Sequence, residues 1–286
     1  MRLANAAGRL VIVTSDTTMI DVETCSDGRF SADPQAIYSC WDSFVEWART
    51  YRCDEGPAVT FDALRAPVPA PRQIFAIGLN YRDHAAESGF DIPTAPVVFT
   101  KYISSFTGPS GTITLSGREV DWEVELVVAI GRLGSRVPES SAWDYVAGMT
   151  VGQDISDRCE QFAAPPAQFG LAKSYRGYTP LGPWLVTPDE FSDPDDIGLG
   201  CSLNGQTVQQ GRTSDMVFGI PELIARLSSI VTLYPGDLIF TGTPAGVGMA
   251  QQPPRYLSPG DRLTSWVCGI GHMTHHFCGA KESGNV

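Results

Sequence analysis

What the chain lacks narrows it first. No uninterrupted apolar run approaches the roughly 18 residues that a membrane-spanning helix requires, so no such segment is expected. The seven cysteines (Cys25, Cys40, Cys53, Cys159, Cys201, Cys268 and Cys278) are scattered, odd in number and free of any C-x-x-C spacing. That pattern argues against a disulfide framework or zinc site and for reduced thiols in a cytoplasmic setting. No basic run appears, and 32 acidic against 20 basic residues leave a net charge of -12. Neither nucleic acid nor an anionic membrane surface is therefore an expected partner. The first twenty residues alternate short apolar runs with Ser, Asp and Thr and lack the positive-then-apolar profile of a secretory signal. The G-x-x-x-x-G-K-S/T spacing of a phosphate loop is missing as well.

With 286 residues, 43% of them hydrophobic, the chain can bury a real core, and one large domain beside a small one is the natural expectation. Residues 9–14 and 19–22 read as two strands of a hairpin around the link Ser15 to Thr18. Apolar positions Ile37, Trp41, Phe44, Val45 and Ala48 recur at helical spacing, which predicts a helix over 34–51. Pro57, Pro67, Pro69 and Pro71 then mark a boundary, giving a small N-terminal domain over 1–70 and a larger one over 71–286.

The larger part is organised around residues 121–131, a β-branched run that carries Glu123 and Glu125. Alternation along a strand puts the two glutamates on one face, their Cα atoms about 7 Å apart, and Trp122, Val124, Leu126, Val128 and Ile130 on the other. Two like charges buried side by side require a cation or a proton, and an oxygen-liking divalent ion is one resolution; an edge strand facing water is the other. Asp154, expected at the end of a strand over 146–155, is placed to complete a three-oxygen set. Arg158 and Gln161, three apart, suit a helical turn that presents a guanidinium and an amide to an oxygen-rich anion, and Lys173 adds a positive charge.

Upstream, a short helix over 81–87 would set His84 and Glu87 at i and i+3. The pair is either a general base whose tautomer the carboxylate fixes or an ordinary surface ion pair. The segment 84–96 suits a mobile lid. A short helix is expected over 142–147, a core helix from Pro221 to Val231, and a hairpin with Asn204-Gly205 as its turn. The loop 241–248, rich in small residues, lets backbone N–H groups and the Thr243 hydroxyl approach a carboxylate, or is simply a turn. Two final strands are expected around Ser258 to Asp261, with His272, His275 and His276 in structural or solvated roles rather than as a metal cluster.

Taken in order, Ile77-Gly78-Leu79-Asn80-Tyr81 with His84 and Glu87, then Asp121-Trp122-Glu123-Val124-Glu125-Leu126, Asp154 with Arg158 and Gln161, Lys173, Pro180 to Trp184, Pro235-Gly236-Asp237 and Thr241 to Gly248 resemble the fumarylacetoacetate hydrolase family over residues 72 to 278. The likeness is to short bacterial-type acylpyruvate hydrolases and 2-hydroxyhepta-2,4-diene-1,7-dioate isomerases. It implies a fold that is mainly β with α (α+β), a mixed β-roll of packed sheets, commonly a homodimer. It also implies Mg2+ or Mn2+ on Glu123, Glu125 and Asp154, catalysis by His84, Glu87 and Lys173, and substrate contacts from Arg158, Gln161 and Thr243. Two positions depart from the family pattern: Gln153 stands where Asn is usual, which bears on pocket shape, and Cys159 where an acidic residue is common.

The activity implied is hydrolysis of a C–C bond in a small 2-oxo acid of the 2,4-dioxo type, acylpyruvate or fumarylpyruvate, through an enolate that the cation stabilises. Oxaloacetate decarboxylation and 2-hydroxydienoate isomerisation or hydration are alternatives on the same scaffold. A catalytically silent 2-oxo acid binding protein is an alternative of another class.

Overall fold

The computed structural model describes residues 1–15, 18–51, 60–89 and 91–279. Asp16 and Thr17 of the expected hairpin link, Cys53, Pro57 of the expected boundary and Phe90 of the expected lid lie outside the described residues.

All seven residues of the strand Val124–Ile130 are buried, so it has no wet face and must lie inside a covered sheet. Leu126, Val128 and Ile130 face one apolar cluster while Val127 and Ala129 face another. The strand pairs antiparallel with Val146–Gln153 on one side, Val124 opposite Gln153, and with Leu238–Phe240 on the other. From edge to edge this main sheet runs Met19–Asp21, Arg9–Val13, Arg2–Ala6, Thr179–Val186, Val146–Gln153, Val124–Ile130, Leu238–Phe240, Ile74–Gly78 and Val97–Thr100. A second sheet, ordered Gln206–Arg212, Gly198–Leu203, Arg262–Val267, Gly271–Cys278 and Ser110–Thr114, covers one face. Leu199, Leu263, Val267 and Met273 from that sheet, with Leu223, Ile224 and Leu227 from the helix Ile220–Ile230, close the first cluster.

The opposite face is covered by Phe30, Ile37, Tyr38 and the helix Trp41–Thr50, whose Trp41 and Phe44 pack with Val127, Leu181, Leu238 and Phe240. The strands of residues 1–70 thus join the main sheet, through Arg2–Ala6 against Thr179–Val186, and the second cluster draws on both parts of the chain. The fold is α+β, packed mixed sheets with few helices, as the resemblance implies.

Several elements differ from expectation for local reasons. The run from Asp121 is not one strand: Val120–Asp121 pairs with Ser156–Asp157, and Val124–Ile130 begins anew. Between them Trp122 N–H donates to Asp121 Oδ1 and Glu123 N–H to Gln153 Oε1, so side chains replace the ladder. The helix expected over 34–51 is a 3-10 turn Ala36–Ser39 followed by Trp41–Thr50, interrupted at Cys40 with φ of -138°. The segment expected as a helix over 142–147 is a 3-10 stretch, Glu139–Tyr145. The last two strands are joined through Cys268 to Ile270; Ser258 to Asp261 precedes both. His275 is buried, with its Nε2 2.9 Å from the Gly108 carbonyl, and His272 stacks on Phe61.

This packing can be tested in two ways. Phe44 is fully buried, so Phe44→Ala should cost about 3 to 5 kcal/mol, and unfolding followed by tryptophan fluorescence and circular dichroism should remain one coincident transition. Two transitions, only one displaced, would show that residues 1–70 unfold as a separate unit. Burial of His275 pushes its pKa down from 6.5 to about 4. The unfolded chain therefore takes the proton first, so this group's contribution is present above pH 6.5 and is lost as pH falls toward 4. The bound is about 3 kcal/mol at 1.36 kcal/mol per unit. Denaturant melts at pH 7.5 and 5 should show a drop in stability that is smaller in His275→Asn.

Candidate active site

Strand register gathers the acidic side chains. With Val124 opposite Gln153, the residues just outside the ladder, Glu123 and Asp154, meet, and Asp154 N–H donates to the Glu123 carbonyl at 2.9 Å. Glu125, two residues along, points to the same side as Glu123. One carboxylate oxygen from each of Glu123, Glu125 and Asp154 lies within 4.8 Å of the others, and all three side chains are buried.

Three cations are buried against them. Lys173 Nζ donates to Glu123 Oε2 and Asp154 Oδ2, each at 2.7 Å. Lys101 Nζ donates to Asp154 Oδ1 and to the Lys173 carbonyl. Arg158 donates from Nη2 to Glu123 Oε1 at 2.7 Å, from Nε and Nη2 to Asp121 Oδ2, and from Nη1 to Gln161 Oε1 at 2.8 Å. Burial opposes ionisation of Glu123, yet Lys173 and Arg158 outweigh it and hold the carboxyl down at about 2. Glu125 goes the other way: burial, then the charges of Asp154 and Glu123, raise it well above the usual carboxylate range against one opposing Gly242 N–H. Burial lowers Lys101 despite Asp154, whereas Asp154 and Glu123 overcome burial and raise Lys173.

The helix Arg82–Glu87 brings His84 Nδ1 to 2.8 Å from Glu87 Oε1, and Glu87 accepts the Gly246 N–H through both oxygens. The His84 Nε2 has no protein partner among the described residues and the ring lines a cavity. The loop 241–248 turns its amides onto the protein's own acids: Gly242 N–H to Glu125, Gly246 N–H to Glu87, Gly248 N–H to Asp121. The Thr243 hydroxyl donates to the Val124 carbonyl and accepts from Gln209 Nε2, both at 2.8 Å.

His84, Glu123, Arg158, Gln161, Lys173 and Thr243 line a single cavity of about 270 Å3, with Glu125 and Asp154 beneath its floor and Glu87 behind His84. All nine residues expected from the sequence therefore fall in one place. Gln153 does not line the cavity; its amide links the Glu123 backbone to Ser265 of the second sheet, so its extra methylene is spent between the sheets. Cys159 is exposed.

Sequence reasoning missed Lys101, Asp121 as the partner of Arg158, and Gln209, which bridges Val124 N–H to Thr243 and Pro244. A signal existed for the first: the chain has only three lysines, and Lys101 and Lys173 are both in this site. An all-oxygen set of three buried carboxylates, one of them driven toward its protonated form by its neighbours, fits a hard divalent cation. Chelator-treated protein is therefore expected to melt several degrees higher on adding Mn2+ or Mg2+ and to bind one ion per chain by calorimetry. Asp154→Asn should lose both effects; equal stabilisation of that variant would place the ion elsewhere.

Residues 73–278 match the family model described as the fumarylacetoacetate (FAA) hydrolase C-terminal domain. Human mitochondrial oxaloacetate tautomerase FAHD2A is 44% identical over 208 residues, 72% of this chain and 66% of that protein. The chain spans just under two thirds of the length of that curated relative. The crystal structure of an HpcE-like protein from Mycobacterium smegmatis superposes with a TM-score of 0.94 at 52% identity, covering 98% of this chain and all of the other. Maleylpyruvate hydrolase from Sphingobium sp. SYK-6, solved with manganese(II) and pyruvate, superposes at 0.78 with 28% identity over 98% of this chain and 100% of its own. On the family match and these identities, the chain belongs to the fumarylacetoacetate hydrolase family.

Proposed function

We propose that the protein is a divalent-metal-dependent hydrolase that cleaves a C–C bond in a small 2,4-dioxo acid of the acylpyruvate type. The observation that carries this reading is one cavity with an oriented His84 on its wall and a floor of buried carboxylates and cations. Glu123, Glu125 and Asp154 would hold Mg2+ or Mn2+, which when bound supplies Lewis-acid polarisation of an oxo acid's oxygens.

The chain's own residues divide the remaining work. Glu87, fixed by the Gly246 amide, sets the His84 tautomer by accepting from Nδ1–H and leaves Nε2 as the base. His84 Nε2 takes a proton from water; the hydroxyl adds to C4, the C3–C4 bond breaks, and its electron pair passes to the C2 ketone as the pyruvate enolate. A carboxylic acid leaves, and protonation of C3 completes pyruvate. Lys173 Nζ and the Arg158–Gln161 pair supply donors for the oxygens on which negative charge grows.

A second reading is keto–enol tautomerisation of a 2-oxo acid, favoured by the likeness to the human oxaloacetate tautomerase. The same dyad would then move a proton at carbon with no attack by water.

Pyruvate release from acylpyruvates with Mg2+ or Mn2+ tests the first reading. His84→Ala is expected to lower kcat by about 100-fold or more with little change in KM, and Glu123→Ala to abolish turnover. Wild-type protein that interconverts the enol and keto forms of oxaloacetate but releases no pyruvate from any acylpyruvate would replace hydrolysis by the second reading.

A further inference from the structure

The cavity has two unlike halves. Among the described residues, its acids and bases are His84, Glu123, Arg158 and Lys173, all on the floor or beside it. The remaining wall is mostly apolar, made largely by Leu79, Val97, Phe99, Phe162, Phe169 and Met249, with Ser88 adding a neutral hydroxyl and no cation. Phe99 joins the halves, with its ring 5.4 Å from Lys173 Nζ on one side and 5.4 Å from the Phe169 ring on the other.

Leu79 stands out in this wall. Its φ is +56°, the left-handed region that a bulky side chain avoids at a cost of about 1 kcal/mol or more. The next residue holds it there: Asn80 Oδ1 accepts the Phe218 N–H, its Nδ2 donates to the Phe218 and Thr241 carbonyls, and its carbonyl accepts the Val217 N–H. Glycine would occupy this conformation without strain. A leucine kept left-handed by four hydrogen bonds, with its side chain on a cavity, indicates a role for that side chain.

We infer that Leu79 and the aromatic wall select a 2-oxo acid with an uncharged, apolar far end, so the substrate is a monocarboxylate acylpyruvate rather than a dicarboxylate. The inference rests on the proposed reaction in one respect, the placing of the 2-oxo acid head at the charged floor. With the head there, a second carboxylate would lie against the wall without a cation, since Arg158 and Lys173 are engaged at the floor. Desolvating an unpaired carboxylate is far costlier than desolvating a methyl group.

Binding and turnover test this separately. With Mn2+ present, 2-oxohexanoate should bind about tenfold or more tighter than 2-oxoadipate, which has the same length and ends in a carboxylate. In turnover, kcat/KM for 2,4-dioxoheptanoate should exceed that for 2,4-dioxoheptanedioate by a similar factor. Leu79→Lys should reverse the binding order, and Leu79→Gly, which suits the backbone, should stay folded and narrow the preference several-fold. The inference is overturned if wild type binds the two acids equally or prefers 2-oxoadipate, or if neither variant changes the ratio. If the binding preference holds while no dioxo acid is cleaved, the hydrolytic reading fails and the selectivity stands.

Discussion

Charge burial at one end of the central strands is the constraint on which the structure turns. Asp121, Glu123, Glu125 and Asp154 are all buried there, against Lys101, Lys173 and Arg158, four acids to three bases. An isolated buried charge costs several kcal/mol, so each partner is required by the others, and removal of one cation would strand a carboxylate in the core. Asp121, Glu123 and Asp154 are each paired with a cation, whereas among the described residues Glu125 has only a backbone amide. The surplus negative charge therefore falls on Glu125, where burial and the charges of its neighbours raise its affinity for a proton. A divalent ion held by Glu123, Glu125 and Asp154 would offset the same surplus without protonating the ligand.

The second dependence is on the loop after Leu238–Phe240. Its amides reach Glu125, Glu87 and Asp121, so one segment orients a carboxylate of the buried acidic set, the histidine's partner and the arginine's partner. That reach requires glycine. Gly246 has φ of +107°, and a Cβ there would lie 2.0 Å from the Val208 carbonyl oxygen. Gln209, on the neighbouring strand, ties the loop to Val124, between the two glutamates. Small errors in the second sheet would thus be transmitted to the floor through packed backbone rather than through a flexible side chain.

Much of this was legible in the sequence because strand periodicity is simple. Glu123 and Glu125 share a face on strand alternation, a relation that survives although the strand begins only at Val124, and His84 and Glu87 meet on any helical turn. Asp154 was visible as a strand-end acid, although only the register of Val124 against Gln153 places it beside Glu123. What stayed hidden depends on pairing between distant strands. Lys101 follows Val97–Thr100, at the far edge of the main sheet, and nothing local reveals that its side chain reaches Asp154. Asp121 reads as one more residue of an alternating strand, but the ladder breaks after it because its own carboxylate takes the Trp122 N–H. Helix boundaries were misjudged where apolar spacing ran across a 3-10 turn, since both conformations bury the same residues.

The contrast between floor and wall bears on how one scaffold serves several reactions. Every charged group on the floor is engaged in a buried network, so substitution there strands a charge and is opposed by stability as well as by chemistry. The wall carries no such penalty: Phe162 is 46% exposed and Leu79 is half-buried, so either can change without opening the core. Relatives named for tautomerisation and for hydrolysis share the fold, as expected if the floor fixes how a 2-oxo acid is activated while the wall and the access of water decide which product forms. Strain supports this division. The left-handed backbone at Leu79 is the kind of local cost that persists only where its surroundings over-determine it, and the Asn80 bonds do so from outside the charged network. The selectivity inferred for Leu79 thus rests on a residue outside the charged network, next to a floor that the network holds.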